Sequence, residues 1–232
     1  MINVLELFSG TGSVGKVCKQ LGWNVVSVDM LLPADHQVDI MEFDYKQYPK
    51  DHFDIVWASP PCTNYSKLQD AWLGRMRKGQ IYTKEIQDQE MKQDDRLVEK
   101  TFEIIDYFNP ELWFVENPAT SKMKDRPIMK DKPNYLVDYC MYSDWGYRKR
   151  TRIWTNKQDW NNRLCDGSGS CGNMVDSKRH IKTCDGGYDK RRLLHKSNLG
   201  NTERLKASKG KGTSQQERYR IPEELIFSLF QE

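Results

Sequence analysis

Cys62 closes the tetrad Ser59-Pro60-Pro61-Cys62, directly after the apolar run Phe53-Asp54-Ile55-Val56-Trp57-Ala58. Such a run reads as a buried strand, and two successive prolines turn the chain out of it, so the thiol stands where a strand opens into a loop. A thiolate in that position can attack an electron-poor carbon. Two carboxylates occupy comparable places: Asp29 follows the strand-like Asn24 to Val28, and Glu116 follows the strand-like Leu112 to Val115. One can accept hydrogen bonds from a hydroxylated ligand, and the other can lend a proton next to the sulfur. Cys18 and Cys140 differ from Cys62, because each falls on an apolar helix or strand pattern and reads as core.

The elements that must hold these groups follow from hydrophobic period. Ile2 to Leu7 predicts a short buried strand, followed by the Gly-rich turn Ser9-Gly10-Thr11-Gly12-Ser13 and a helix with Val14, Val17, Cys18 and Leu21 on one face. Asn24 to Val28 is the second strand, and the stretch from Asp29 to Asp39-Ile40 is expected to hold a third short one. A long polar loop runs from Thr63 to about Gln93, and a helix marked by Leu97, Thr101, Ile104, Ile105 and Phe108 stops at Asn109-Pro110. Leu136 to Tyr142 and Arg150 to Thr155 predict a closing antiparallel hairpin. Alternating strands and helices imply an α/β fold with an open, mainly parallel sheet, whose carboxyl edge forms the ligand crevice. Ile221 to Ile226 starts a terminal helix with Pro222 in its first turn.

With 232 residues the chain can bury one core, with an insertion rather than a second independent domain. No apolar run approaches a membrane span, and nothing at the N-terminus resembles a secretory leader, so a soluble, intracellular protein, cytoplasmic or nuclear, is expected. The six cysteines then read as reduced or metal-bound. The formal net charge of +3 conceals an asymmetry. Gly187 to Arg220 carries ten basic residues against three acids, about +7, which leaves about −4 for the rest. A segment of that kind suits a polyanionic partner, namely nucleic acid.

Four ordered blocks carry a resemblance. Phe8-Ser9-Gly10-Thr11-Gly12 is similar to an FxGxG cofactor turn, Pro61-Cys62-Thr63-Asn64-Tyr65-Ser66 to a PCQxxS nucleophile loop, Val115-Glu116-Asn117-Pro118 to an ENV block, and Arg148-Lys149-Arg150-Thr151-Arg152 to QxRxR. Together they resemble the cytosine-5 DNA methyltransferase family, in the family's order, from the N-terminus to about Trp154. Thr63 and Arg148 stand where that family has glutamine, and its final GNSV-like block is not present after Arg220. The resemblance implies a Rossmann-like class I methyltransferase fold: a mostly parallel seven-stranded sheet with an antiparallel hairpin. Residues 1–160 would form the catalytic S-adenosylmethionine-binding domain, 161–218 a small basic target-recognition segment, and 219–232 a helix packing back on the catalytic domain.

The resemblance also implies roles. Phe8, Ser9, Gly10, Thr11, Gly12 and Ser13 would cradle S-adenosylmethionine, with Asp29 and Met30 at its ribose, Asp39 and Ile40 at its adenine, and Pro60 beside it. Cys62 would add to carbon 6 of a cytosine, making carbon 5 nucleophilic enough to take a methyl group. Glu116 would share its proton with ring nitrogen 3, Asn117 would orient the exocyclic amine or the backbone, and Arg150 and Arg152 would hold the base carbonyl and position Glu116. In a duplex the base must first be flipped out. Ser66, Lys67, Gln69, Arg148, Arg191 and Arg192 are the candidate substrate contacts, with Gln69 or Trp72 available to fill the vacated stack. Double-stranded DNA is the expected partner, and a monomer is favoured. An RNA cytosine-5 methyltransferase and a catalytically silent nucleic-acid-binding regulator on the same scaffold are the competing readings. Cys165, Cys171, His180 and Cys184 offer four soft ligands whose spacing resembles a zinc knuckle, in a segment too Gly-rich to fold on burial alone.

Overall fold

The computed structural model describes residues 1–177, 181–182, 188–189, 192–195 and 219–231. The chain divides into two compact units: Met1–Leu136 with Thr151–Trp160, and Val137–Arg150 with Asn161–Glu232. Among the described residues no helix is long and apolar enough to cross a membrane.

The first unit is built on a six-stranded sheet. Strand β1 (Asn3–Leu7) leads through helix α1 (Ser13–Gln20) to β2 (Asn24–Val28), then β3 (Ile55–Ala58), helix α2 (Lys84–Phe108), β6 (Leu112–Pro118), β7 (Asn134–Asp138) and β8 (Arg150–Thr155). The order across the sheet is β2-β1-β3-β6-β8-β7. Strands β2, β1, β3 and β6 run parallel, and β8 is antiparallel to β6. Every residue of β3 is buried, as its unbroken apolar run requires of a strand covered on both faces. The core gathers Leu5, Leu7, Val56, Ala58, Ile104, Phe108, Val115 and Trp154, none more than 1% exposed.

Among the described residues the sheet has six strands, where the resemblance implies seven. The stretch up to Asp39-Ile40 forms no strand, and it ends in a turn where the Asp39 carboxylate accepts the amide of Met41 (2.9 Å) and Glu42 N–H returns to the Asp39 carbonyl (2.9 Å). Only a single parallel bridge, Val28 with His36, survives of that pairing. Nor is the segment from Thr63 to Gln93 one long loop. It contains a 3₁₀ turn (Lys67–Trp72), a small hairpin of β4 (Met76–Arg77) and β5 (Gln80–Ile81), and the first turns of α2, capped by Thr83. The charged outer face of α2 hides its helical period from a hydrophobicity reading, while Gln87, Met91 and Asp94 supply the buried stripe.

In the second unit, 3₁₀ residues Tyr139–Met141 follow β7, and an irregular stretch from Asn161 to Asn173 precedes β9 (Met174–Ser177), which pairs antiparallel with β12 (Arg192–His195). The short strands β10 (Ile181–Lys182) and β11 (Tyr188–Asp189) form their own pair, and helix α3 (Glu223–Gln231) buries Leu225, Ile226 and Leu229.

Candidate active site

Parallel register brings the candidate groups to one edge. Val28, Leu7, Ala58 and Val115 lie in one row across β2, β1, β3 and β6. Asp29, Phe8 and Ser59 follow directly as their strands end, and Glu116, still within β6, is the next residue of its own strand, so the four share one row at the carboxyl edge, on neighbouring strands about 4.8 Å apart.

The turn after β1 is held by its own backbone and by two acids. Phe8, Gly10 and Gly12 all adopt positive φ (55°, 54° and 66°), a conformation that suits the two glycines and is unusual for phenylalanine. Ser9 N–H donates to Val28 O (3.1 Å) and Gly12 N–H to Ser9 O (2.8 Å), while the hydroxyls of Thr11 and Ser13 lie 3.2 Å apart. Gly12 is the N-cap of α1, and a β-carbon there would meet nothing within 4 Å, so the turn borders open space at the helix N-terminus. Asp29 accepts Gly10 N–H on one oxygen (2.9 Å) and Leu31 and Leu32 N–H on the other (2.8 Å each). Three of roughly four acceptor positions on a carboxylate are thus committed to the backbone, which leaves capacity for one further hydroxyl. Met30 beside it is 56% exposed, whereas Ile40 is buried.

Sequence reasoning missed Glu6. Its side chain lies buried under α1 and accepts Val14 N–H (3.2 Å) and Gly15 N–H (2.9 Å), satisfying first-turn amides that no side-chain cap reaches. Burial raises its pKa to about 7, against the pull of those amides. A lone acid in the middle of the apolar run Val4 to Leu7 was the available signal.

The thiol of Cys62 is partly exposed, in contrast to Cys18 and Cys140, which are buried. Desolvation pushes the Cys18 thiol up to about 12, which removes it as a nucleophile at neutral pH. The loop carrying Cys62 is fastened on both sides. Ahead of it, Pro60 is buried and its carbonyl accepts the Asn117 amide (2.9 Å), which ties the Pro-Pro-Cys loop to the end of β6. Behind it, Asn64 donates to Asp94 (3.1 Å) and the buried Tyr65 hydroxyl donates to Asp95 (2.9 Å), both on α2. Burial lifts Asp94 to about 6. Arg126 clamps Asp95 (2.5 to 3.0 Å), and Lys122 pairs with Asp70.

Glu116 and Asn117 are both buried. On β8 the register sets Ile153 opposite Glu116 and Arg152 opposite Asn117. Arg152 donates from Nη1 to Asn134 and is half-buried. Its Nε and the Oδ1 of Asn117 are buried with no hydrogen-bond partner, so two facing cross-strand residues each hold an unused polar atom. Buried groups are rarely left so, and functional sites are where the exceptions gather.

The other two arginines of that block belong to the second unit. Arg150 donates to both oxygens of the fully buried Asp138 (3.0 and 2.7 Å), and Arg148 reaches the same carboxylate (3.1 Å). The sequence assigned both to the substrate, and their carboxylate partner was unforeseen. Among the remaining candidates, Ser66 caps the 3₁₀ turn through Leu68 N–H (3.2 Å) and Lys67 is exposed. Gln69 is buried with its amide on Thr63 O (2.9 Å), so it is not free to enter a base stack, whereas Trp72 is 45% exposed. Arg192 begins β12, opposite Ser177. Arg191, His180 and Cys184 lie outside the described residues, as does most of the basic segment. Cys165 and Cys171 meet Cys140 and His195 instead, all four ligand atoms within 4.8 Å of one another.

No family model matches the chain. Among solved structures it is similar to an Entamoeba histolytica methyltransferase (TM-score 0.48, 14% identity), a DNA modification methyltransferase encoded within an E. coli prophage (0.47, 14%) and the S. pombe Dnmt2 methyltransferase (0.43, 11%). These matches cover 71%, 72% and 71% of this chain and 56%, 52% and 52% of theirs, so the chain spans about half the length of those proteins. A frog virus 3 protein described as a probable DNA (cytosine-5)-methyltransferase is 39% identical over 235 residues, which cover 98% of either chain. On that identity over nearly the full length of both proteins, with the thiol loop and the glutamate at adjoining strand ends, the chain belongs to the DNA (cytosine-5)-methyltransferase family.

Proposed function

We propose that the chain methylates carbon 5 of cytosine in double-stranded DNA, through a transient bond between Cys62 and the base. The observation that carries this reading is the Asn117 to Pro60 hydrogen bond, which binds the thiol loop to the Glu116 strand end. The Cys62 thiolate adds to carbon 6, and the electron pair displaced from the 5,6 double bond moves toward nitrogen 3, where Glu116 supplies a proton. Carbon 5 is then enamine-like and nucleophilic. After methylation it gives up its proton to water, the electron pair re-forms the 5,6 double bond as the thiolate leaves, and nitrogen 3 returns its proton to Glu116. Asn117 Oδ1 and Arg152 Nε are the uncommitted polar atoms that suit the exocyclic amine and the carbonyl of a cytosine, an acceptor and a donor respectively.

Bound S-adenosylmethionine would supply an electrophilic methyl on its sulfonium. The positive-φ turn and the open space at Gly12 fit its amino acid part, and the spare acceptor capacity of Asp29 fits one ribose hydroxyl. A duplex substrate must present the base extrahelically, and Trp72 is the exposed aromatic on the loop after Cys62 that can occupy the gap.

Incubation with labelled S-adenosylmethionine and duplex DNA, RNA or free nucleotide should label the DNA alone. DNA carrying 5-fluorocytosine should form an adduct that resists denaturation, because fluorine cannot leave as a proton does. Labelling of RNA only, or an adduct that persists in Cys62→Ala, would sink the proposal.

A further inference from the structure

The second unit contains a cluster that the proposed methyl transfer does not use. Cys140, Cys165, Cys171 and His195 come from three separate stretches of chain, and their ligand atoms all lie within 4.8 Å of one another. His195 Nε2 stands 3.6 Å from Cys165 Sγ and 3.7 Å from Cys171 Sγ. A tetrahedral zinc ion with ordinary Zn–S and Zn–N bonds separates sulfur from nitrogen by about 3.6 Å and sulfur from sulfur by about 3.8 Å. Three of the ligand residues are buried and Cys171 is partly so. We infer that these residues form a structural zinc site of the Cys₃His type, different from the Cys165-Cys171-His180-Cys184 set that spacing suggests.

The surroundings are built for four converging ligands. Asn173 donates to the carbonyls of Cys140 (2.8 Å), Cys171 (2.9 Å) and Ser143 (2.7 Å) and accepts Gly146 N–H (2.8 Å), so one buried amide fixes the backbone of two ligands. Register places His195 opposite Met174, the residue after Asn173. Asp138 accepts Cys165 N–H (2.9 Å), which fixes the third cysteine. Charge is balanced as well: three thiolates with one Zn²⁺ carry one net negative charge, Asp138 adds a second, and Arg148 and Arg150 on Asp138 supply two positive charges. Orienting groups around the ligands of this kind accompany real metal sites. Four full ligands leave no open position, so the ion is a staple and not a catalyst. The stretch from Asn161 to Asn173 has no helix or strand, and Gly167, Gly169 and Gly172 all take positive φ, so burial alone gives it little to fold on.

Full-length protein expressed with zinc and dialysed against a weak chelator should retain one zinc per chain by elemental mass spectrometry. Cys165→Ser and Cys171→Ser should fall to background, while Cys184→Ser and His180→Ala should keep the metal. Because ligand variants can fail to fold, the unmodified chain is also exchanged with Co²⁺, which should give tetrahedral d–d bands and thiolate-to-cobalt charge transfer. None of these readouts depends on methyltransferase activity. A zinc-free unmodified chain, an octahedral cobalt spectrum, a disulfide among Cys140, Cys165 and Cys171, or loss of zinc in Cys184→Ser would each overturn the assignment.

Discussion

The sheet of the first unit is sealed by side chains that carry no polar atoms: Leu5, Leu7, Val56 and Val115 are fully buried, and the aromatic residues Phe53 and Phe108 meet edge to face at 4.9 Å. The second unit is organised differently. Its buried groups include Asp138, Asn173, Cys140, Cys165 and His195, and Asp138 and Asn173 are held by directional hydrogen bonds. Dispersion and apolar burial tolerate modest change and fail gradually, whereas a coordination centre is nearly all-or-none. The reactive edge thus rests on an apolar core, whereas Arg148 and Arg150 sit on a carboxylate that also holds the amide of Cys165, one of the proposed zinc ligands.

The largest expected effect breaks that contrast open. Leu5→Ala should destabilise the first unit by about 2–5 kcal/mol, because a fully buried leucine leaves both lost contacts and a cavity. The same variant should keep its zinc. Chelation should do the reverse, collapsing hydrogen-exchange protection in 137–150 and 161–177 while strands β1, β3 and β6 stay protected. Equal loss of protection in both units under either treatment would show that they are one cooperative structure.

This division also accounts for what could be read from sequence. Strands β1, β2, β3 and β6 and the site at their ends were legible because each is a short apolar run broken by Gly, Pro or an acid, signals that depend only on neighbours in the chain. The start of α2 was not, since Lys84 to Gln93 is almost wholly polar and only packing reveals which side is buried. The proposed zinc ligands were half legible. Cys165 and Cys171 announce themselves by spacing, but Cys140 sits in an apolar pattern that reads as core, and His195 arrives through the pairing of β12 with β9, a contact no local spacing encodes. Asp138 gave no sign that it would hold Arg148 and Arg150 together.

Within the first unit, Glu6 sharpens the comparison, because it is an ionisable group buried among apolar neighbours on β1. Its folded pKa is raised to about 7, above an ordinary glutamate near 4.5, so the folded state holds a proton that the unfolded state has released. Stability should therefore fall as pH rises from about 4.5 to about 7, by on the order of 3 kcal/mol from this group. Asp94, raised to about 6, acts in the same direction. In Glu6→Gln most of that slope should vanish from urea denaturation curves taken between pH 5 and pH 8. An unchanged slope would mean that Glu6 is ionised in the folded protein throughout this range.

The smallest effect concerns how the thiol loop is supported. Thr83 caps α2 through Ile86 N–H, at a long 3.4 Å, and its hydrogen bond also holds the Glu85 carboxyl below the usual range. Helix α2 in turn grips the loop through Asp94 and Asp95 on Asn64 and Tyr65. Thr83→Ala should cost about 0.5–1 kcal/mol, the low end for a lost cap given that distance. Glu85 should titrate closer to an ordinary glutamate by NMR. The two aspartates lie nearly three turns further along the helix, so fraying at its start should leave the bonds to Asn64 and Tyr65 intact, and the rate of adduct formation by Cys62 should not change. A slower adduct in this variant would instead mean that the first turns of α2, with Gln87 on Asp70, set the position of the nucleophile.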